Sequence, residues 1–130
     1  MGEITATEIQ AAADIIRRQE CPFCDYEGPS EIIDFGEVFA IEPLRPVVPG
    51  HMLFIPRLHV DLRKGVERMS RTQMLQAGYA FQMAMEHIWL NGIQANIIQS
   101  TGEAATQTVF HLHVHVVPRV EGDGLMLPWS

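Results

Sequence analysis

Residues 107–119 read Gln107-Thr108-Val109-Phe110-His111-Leu112-His113-Val114-His115-Val116-Val117-Pro118-Arg119, so that three histidines alternate with apolar residues. A period of two predicts an extended strand, because successive strand side chains point to opposite faces of a sheet. The prediction places His111, His113 and His115 on one face, each about 7 Å from the next. The apolar residues between them would pack on a hydrophobic core.

The three histidines admit more than one interpretation. A lone histidine on a strand is most often structural, but here half of the chain's six histidines stand in strict alternation. Three histidines can also bind one zinc ion and leave a catalytic position open. On a straight strand, however, His111 and His115 would lie about 13 Å apart. Two ligands at about 2.1 Å from one ion lie within about 4 Å of each other, so nucleophilic chemistry at His113 explains the pattern better.

Three separated motifs of the chain resemble those of the histidine triad (HIT) superfamily. They are the alternating histidines with Gln107-Thr108-Val109 before and Pro118-Arg119 after them, the segment Pro46-Val47-Val48-Pro49-Gly50-His51-Met52-Leu53-Phe54-Ile55-Pro56-Arg57-Leu58-His59, and Cys21-Pro22-Phe23-Cys24. The resemblance extends over roughly residues 21–129. It implies a nucleotide hydrolase or transferase that forms homodimers in which two sheets combine.

The composition predicts one globular domain of moderate charge. A chain of 130 residues, 47% of them hydrophobic, is long enough to bury a single core. The formal net charge of −7 argues against a general nucleic-acid-binding protein, which would need a basic face. No apolar run approaches the roughly 18 residues of a membrane span, and the first twenty residues do not resemble a secretory signal. We therefore expect a cytoplasmic protein that does not bind membranes.

The pattern of elements predicts an α+β fold, with a five-stranded antiparallel sheet and one long helix packed on it. Residues 1–20 are expected to form a helical extension, with the helix over 5–20, and residues 21–130 the HIT domain. A hairpin around Gly36, a strand over 51–56 and a strand over 94–99 precede the triad strand. Ser70 opens a capping box for a helix over 70–91. The apolar face of this helix is predicted to consist of Met74, Leu75, Phe81, Met85 and Ile88.

The only two cysteines, Cys21 and Cys24, form a C-x-x-C pair. In a reducing compartment such a pair is a redox dithiol, half of a zinc site, or two buried side chains. The family resemblance implies a zinc site that is completed by His59 and His111. Four protein ligands form a closed structural site that stabilises the fold. The chemistry itself would then require no metal.

The resemblance also implies a mechanism. His113 would attack the α-phosphorus of a nucleotide and form a covalent nucleotidyl-histidine intermediate, with His115 assisting a phosphate oxygen or the leaving group. His51 would support the pocket, and Gln107 and Thr108 would contact phosphate oxygens. The implied substrates are dinucleoside polyphosphates, nucleoside phosphoramidates or mixed anhydrides.

The expected nucleotide-binding residues include several outside the triad. The full set is Glu42, Leu44, Ser100, Gln107, Thr108, His113, His115 and Trp129. Family members usually carry Asp or Asn at position 43 to bind the ribose, whereas this chain has Pro43, so Glu42 or a backbone carbonyl would have to substitute. Family members also usually carry Gly where this chain has Thr106.

Two other classes of function stay open at this point. A non-catalytic nucleotide-binding or partner-binding module would bind a nucleotide without forming a covalent intermediate. A zinc-dependent hydrolase with its metal at the triad would stop turning over as soon as the metal was chelated.

Overall fold

The computed structural model describes residues 21–129, which form an antiparallel sheet with one long helix. The elements are β1 (Ile33–Asp34), β2 (Val38–Ile41), β3 (Met52–Pro56), α1 (Arg71–Leu90), β4 (Gln94–Ile98) and β5 (Val114–Arg119). The strand order is β1-β2-β3-β5-β4, and all four pairings are antiparallel. The predicted α+β fold is confirmed. The predicted N-terminal helix, in the extension 1–20, lies outside the described residues.

Alternation along β3 divides the core into two clusters, one on each face of the sheet. Phe54 is fully buried on the face that α1 covers, together with Ala40 of β2 and Val114 of β5. Leu53 and Ile55 point the other way and belong to a smaller cluster. The helix therefore covers one face, and the opposite face is left for the functional side chains.

Helix α1 packs on the sheet through a stripe of alanines together with Met83, and the predicted Phe81 and Ile88 pack against the same core, partly buried. Ser70 and Gln73 form the predicted capping box, and the buried positions include Ala77, Ala80 and Ala84. A stripe of alanines lets the helix backbone approach the sheet closely. The prediction that Met74, Leu75 and Met85 lie on the buried face was wrong, because these side chains are 42%, 63% and 55% exposed.

The triad does not lie on one continuous strand, which corrects the prediction from alternation. Strand β5 begins at Val114, so only His115 of the three histidines belongs to it. Before Val114, the backbone N–H of Leu112 donates to the carbonyl of Val60 at 2.7 Å instead of pairing within the sheet. The ring of His111 hydrogen-bonds the carbonyl of Pro56 at 2.7 Å. These two bonds hold the segment before Val114 beside the end of β3 without regular strand pairing.

Within residues 21–129, α1 is the one long helix, and it lacks the continuous apolar length that crossing a bilayer would need.

Candidate active site and metal cluster

Three histidine rings lie in a row on the face of the sheet that α1 leaves uncovered. The rings of His113 and His115 have centroids 5.1 Å apart, and those of His115 and His51 are 5.2 Å apart. His51 is the residue immediately before β3, and β3 pairs directly with β5, the strand that contains His115. The structure therefore brings together the two triad members and the third histidine that were predicted for catalysis.

Hydrogen bonds determine which nitrogen of each ring carries the proton. The backbone N–H of Val47 donates to His51 Nδ1 at 3.0 Å, so the proton of neutral His51 is on Nε2. That N–H donates to Nδ1 of His115 at 2.9 Å. The proton of neutral His115 must then be on its own Nε2. His115 thus presents its Nε2–H as a hydrogen-bond donor, because the bonds from Val47 to His51 and from His51 to His115 occupy its Nδ1.

His113 has the opposite arrangement, which suits a nucleophile. Its Nδ1–H donates to the carbonyl of His111 at 2.8 Å, so the lone pair is on Nε2. The edge of the Phe23 ring contacts the imidazole, with centroids 5.2 Å apart. Burial lowers the pKa of His113 below its ordinary value of 6.5, which keeps the ring neutral near pH 7.

The pKa values of the other two rings also favour the neutral form. Burial, followed by the neighbouring His113 and His51, lowers the pKa of His115 to about 4. Burial lowers the pKa of His51 as well. At pH 7 the three rings are therefore mainly neutral, and each carries its single proton on the nitrogen that its hydrogen bonds select.

A second group of side chains lies beside the row of histidine rings, and it includes His111. Cys21, Cys24, His59 and His111 each point one ligand atom at a common centre, and these atoms all lie within 4.8 Å of one another. His111 Nδ1 is 3.5 Å from the Sγ atom of each cysteine, and His59 Nδ1 is 3.3 Å from Cys24 Sγ. All four residues that the resemblance implied as metal ligands are thus brought together.

The donor set and its spacing fit a tetrahedral metal ion. With bonds of about 2.3 Å to sulfur and 2.1 Å to nitrogen, a tetrahedral zinc site separates its ligand atoms by about 3.6 Å. The observed sulfur–nitrogen distances of 3.3–3.5 Å are close to this value. His111 Nε2–H donates to Pro56, so Nδ1 carries the lone pair that a metal needs. Burial lowers the pKa of His111 to about 4, so a proton competes little for that lone pair near pH 7.

The phosphate-binding residues predicted from the sequence occupy the loop before the triad. Thr108 is exposed, whereas Gln107 is buried, and its side-chain oxygen accepts a hydrogen bond from the backbone N–H of Gly102 at 2.8 Å. Gln107 thus closes its own loop. Thr106 has φ +68° and ψ +19°, a left-handed conformation that a β-branched residue seldom adopts and that glycine adopts freely.

The other predicted nucleotide-binding residues are more scattered. Glu42 and Leu44 line a cleft together with Pro43, Ile33 and Met52. The triad histidines do not line this cleft. Ser100 is half-buried, and its carbonyl accepts from the side chain of Gln99. Trp129 is 80% exposed.

Sequence reasoning missed two side chains at the site. Phe23 contacts both His111 and His113 by ring edges, and its place between the two cysteines was the available signal. Arg63 lies flat over Phe110, with 3.4 Å from its guanidinium carbon to the ring centroid. No sequence pattern connects Arg63 to a ring 47 positions later.

Comparison with known proteins agrees with this geometry. A family profile described as the HIT domain matches residues 27–122. The chain belongs to the HIT domain family. The histidine row and two of the four candidate metal ligands, His59 and His111, lie within the matched residues, whereas Cys21 and Cys24 precede them.

Relatives of this HIT protein include named enzymes. It is 36% identical over 105 residues to a bis(5'-adenosyl)-triphosphatase of Dictyostelium discoideum, over 75% of this chain and 69% of the relative. It is 28% identical to an adenosine 5'-monophosphoramidase of Saccharomyces cerevisiae, over 97% of this chain and 78% of the relative. A zinc-bound histidine triad family protein from Mycobacterium smegmatis has a similar structure, with a TM-score of 0.66 and 28% identity, over 84% of this chain and 81% of that one.

Proposed function

We propose that this HIT protein hydrolyses or transfers a nucleoside monophosphate unit from a dinucleoside polyphosphate or a nucleoside phosphoramidate. The observation that carries the proposal is the complementary arrangement of two adjacent rings. His113 offers a lone pair on Nε2, and His115 offers a proton on Nε2, with ring centroids 5.1 Å apart. Nucleophile and proton donor are thus held side by side.

In the first step, His113 Nε2 attacks the α-phosphorus, and the bond from phosphorus to the leaving group breaks as the phosphorus–nitrogen bond forms. The leaving group departs with the electron pair of the broken bond. His115 Nε2–H donates to a phosphate oxygen or to the leaving group as negative charge develops there. The neutral state of His113 near pH 7 is what makes it a nucleophile.

In the second step, water attacks the phosphorus of the nucleotidyl-histidine, and the phosphorus–nitrogen bond breaks with its electron pair returning to His113 Nε2. The proton of the attacking water replaces the one that His115 Nε2 gave to the leaving group, or passes to solvent where His115 kept its proton. The phosphorus–nitrogen bond of a phosphoramidate is more labile than a phosphate ester, so the nucleotide is released and the imidazole is restored. Each bond change is accounted for by these two rings and water. The metal cluster supplies no step.

We propose that the loop before the triad contacts the phosphate oxygens. Thr108 is exposed at the end of this loop and can donate its hydroxyl to a phosphate oxygen. Gln107 acts through its bond to Gly102, which fixes the loop, in addition to the phosphate contact implied by the family resemblance. Neutral donors at the end of a loop stabilise developing charge without a strongly basic pocket.

We propose that Leu44 contacts the nucleoside and that Glu42, Ser100 and Trp129 contribute at the edges of its site. Pro43 offers no side-chain acceptor for a ribose hydroxyl. The Glu42 carbonyl, one candidate substitute, already accepts from the Ser30 hydroxyl at 2.7 Å. We therefore expect weak discrimination between ribose and deoxyribose, which a comparison of AMP and dAMP affinities would measure.

The proposal is tested with a panel of substrates and one variant. Wild-type protein is incubated with diadenosine tri- and tetraphosphate and with adenosine 5'-phosphoramidate, and nucleotide release is measured. His113→Asn retains an N–H that can replace the Nδ1 donor but has no nucleophilic nitrogen, so we expect no turnover with AMP affinity largely unchanged. His87→Asn is the matched control, since His87 packs on Phe54 rather than in the triad.

Two results would contradict the proposal. Normal turnover by His113→Asn would exclude His113 as the nucleophile. Binding of AMP by the wild type without turnover of any panel substrate, and without a nucleotidylated protein after rapid quenching, would identify a non-catalytic nucleotide-binding module instead.

We further propose that the Cys21, Cys24, His59 and His111 cluster binds a structural zinc ion. The number and kind of donors, and their separations near those of a tetrahedron, support zinc over metals that prefer oxygen ligands. Zinc would hold the N-terminal cysteine pair against the triad segment. The thiolates must stay reduced, which is compatible with the cytoplasmic location that we propose.

We also propose that the protein forms a homodimer. Strand β4 is at the edge of the sheet among the described residues, so its outer backbone groups can pair with a second strand. The exposed apolar side chains of α1, among them Leu75 and Met85, lie on the helix that packs against the same sheet. A second copy would cover both surfaces together.

A further inference from the structure

The segment that carries the phosphate contacts and the nucleophile has few bonds to the sheet. Between Thr106 and Val114 it belongs to neither a helix nor a strand. Two bonds join it to the rest of the fold, one from the Leu112 backbone N–H to Val60 and one from the His111 ring to the Pro56 carbonyl of β3, and neither involves Thr108 or Phe110. Something other than strand pairing must therefore hold Thr108 and Phe110 in place.

Arg63 is positioned to do so. Its Nε and one terminal nitrogen donate to the two oxygens of Asp61 at 2.9 and 2.7 Å, so the guanidinium plane is fixed by a bidentate pair. Asp61 is buried and also accepts from the backbone N–H of Arg63. The fixed guanidinium then lies over the Phe110 ring, 3.4 Å from its centroid.

The charge of Arg63 is compensated within the fold, which argues against a direct role in binding phosphate. Asp61 pairs with it, and Glu103, in the short helical turn Glu103–Ala105 before Gln107, also raises the pKa of Arg63 by its charge. Arg63 thus contacts the residue before His111 and interacts electrostatically with the start of the same loop. Its own turn, Leu62–Lys64, begins two residues after Val60, which accepts the bond from Leu112.

We propose that Arg63, fixed by Asp61, is a positioning residue that clamps Phe110 and thereby sets the place of Thr108 and His113 relative to the substrate phosphate. This inference rests on the proposed function. A displacement of reacting groups by about 1 Å can lower a rate by up to about a hundredfold, so a clamp of this kind acts on turnover rather than on affinity.

The test compares kcat with AMP affinity in a small set of variants. Arg63→Ala is expected to lower kcat about tenfold and to change the AMP dissociation constant less than about twofold. Arg63→Lys keeps the charge but loses the planar bidentate pair, so it should lower kcat nearly as much. Phe110→Leu should reproduce the loss. The double variant Arg63→Ala/Phe110→Leu should be no slower than the slower single variant, because both changes remove the same clamp.

The chain offers a matched control. Arg57 also pairs with an aspartate, Asp34, at 2.9 Å and lies over a phenylalanine, Phe39, but that ring is on β2. Arg57→Ala should leave kcat within about twofold of the wild type.

Three results would overturn the inference: an Arg63→Ala variant with the kcat of Arg57→Ala, a rise in the AMP dissociation constant with kcat unchanged, or restoration of kcat by Arg63→Lys. A wild type that turned over no nucleotide would refute the proposed function separately. In that case, hydrogen exchange tests separately whether Arg63 holds the segment around Phe110 in place. Faster exchange of the Leu112 amide in Arg63→Ala than in Arg57→Ala supports it, and equal exchange overturns it.

Discussion

Replacing His59 with asparagine gives a direct test of the proposed zinc site, because it removes one metal ligand without changing any of the three triad histidines. His59 Nδ1 is 3.3 Å from Cys24 Sγ, one edge of a tetrahedron whose ideal edges are about 3.6 Å. Asparagine is too short to reach the same point and is a poor ligand for zinc. We expect the variant to lose the one equivalent of zinc that the wild type should carry.

The size of the effect follows from linkage between metal binding and folding. A ligand present at about a thousand times its dissociation constant stabilises the folded state by about 4 kcal/mol. For a chain of 130 residues, each kcal/mol corresponds to roughly 3–5 °C in Tm. Loss of zinc should therefore lower the Tm by about 12–20 °C.

Two measurements check this prediction. The metal content of purified protein gives the stoichiometry, and thermal unfolding with and without excess chelator gives the shift in Tm. His87→Asn is the matched control, since it changes another half-buried histidine, one that lies outside the cluster. The control should keep one equivalent of zinc and its sensitivity to chelator.

The reasoning would be refuted if His59→Asn retained one equivalent of zinc, or if chelation left the Tm of the wild type unchanged. A loss of turnover within the mixing time of chelator, with no change in Tm, would place a metal at the triad instead.

His51→Leu ends the chain of hydrogen bonds to His115, so kcat should fall at least about tenfold while AMP affinity changes little. Because the pKa of His115 is lowered to about 4, the unfolded state binds more protons than the folded state below pH 6.5. The contribution of His115 to the unfolding free energy should therefore fall by up to about 2 kcal/mol as the pH drops from 6.5 to 4. In denaturant titrations, His115→Gln should lose less unfolding free energy over this pH range than the wild type. Thr106→Gly relieves a left-handed φ and should raise the unfolding free energy by about 0.5–1 kcal/mol, as measured in urea. Met85→Glu should shift the protein from dimer to monomer in sedimentation experiments.

Much of the fold could be predicted from local patterns. The capping box at Ser70 predicted the start of α1, and the predicted strand over 51–56 corresponds to β3. The buried face of α1 could be predicted only in part, because apolarity alone does not distinguish a large side chain at the edge of a contact from a small one at its centre. Phe81 and Ile88 pack against the core as predicted, but the centre of the contact is formed by alanines 77, 80 and 84 with Met83.

The triad shows both the strength and the limit of periodicity. Alternation predicted that the histidines share one face, and the rings of His113 and His115 are adjacent. It extended the strand too far, because His111 and His113 precede β5, where bonds from His111 to Pro56 and from Leu112 to Val60 replace sheet pairing. Such competition depends on residues more than fifty positions away. The proton positions also required the backbone N–H of Val47, which no sequence motif identifies as a donor to His51.

The side chain and the backbone of His111 serve different neighbours. Its imidazole points to the two cysteines, while its main-chain carbonyl holds the ring of His113. A carbonyl is present at every residue, whatever its side chain. Evolution can therefore alter or discard the proposed metal site at this position and still keep the ring of His113 in place, provided that another contact anchors the peptide there.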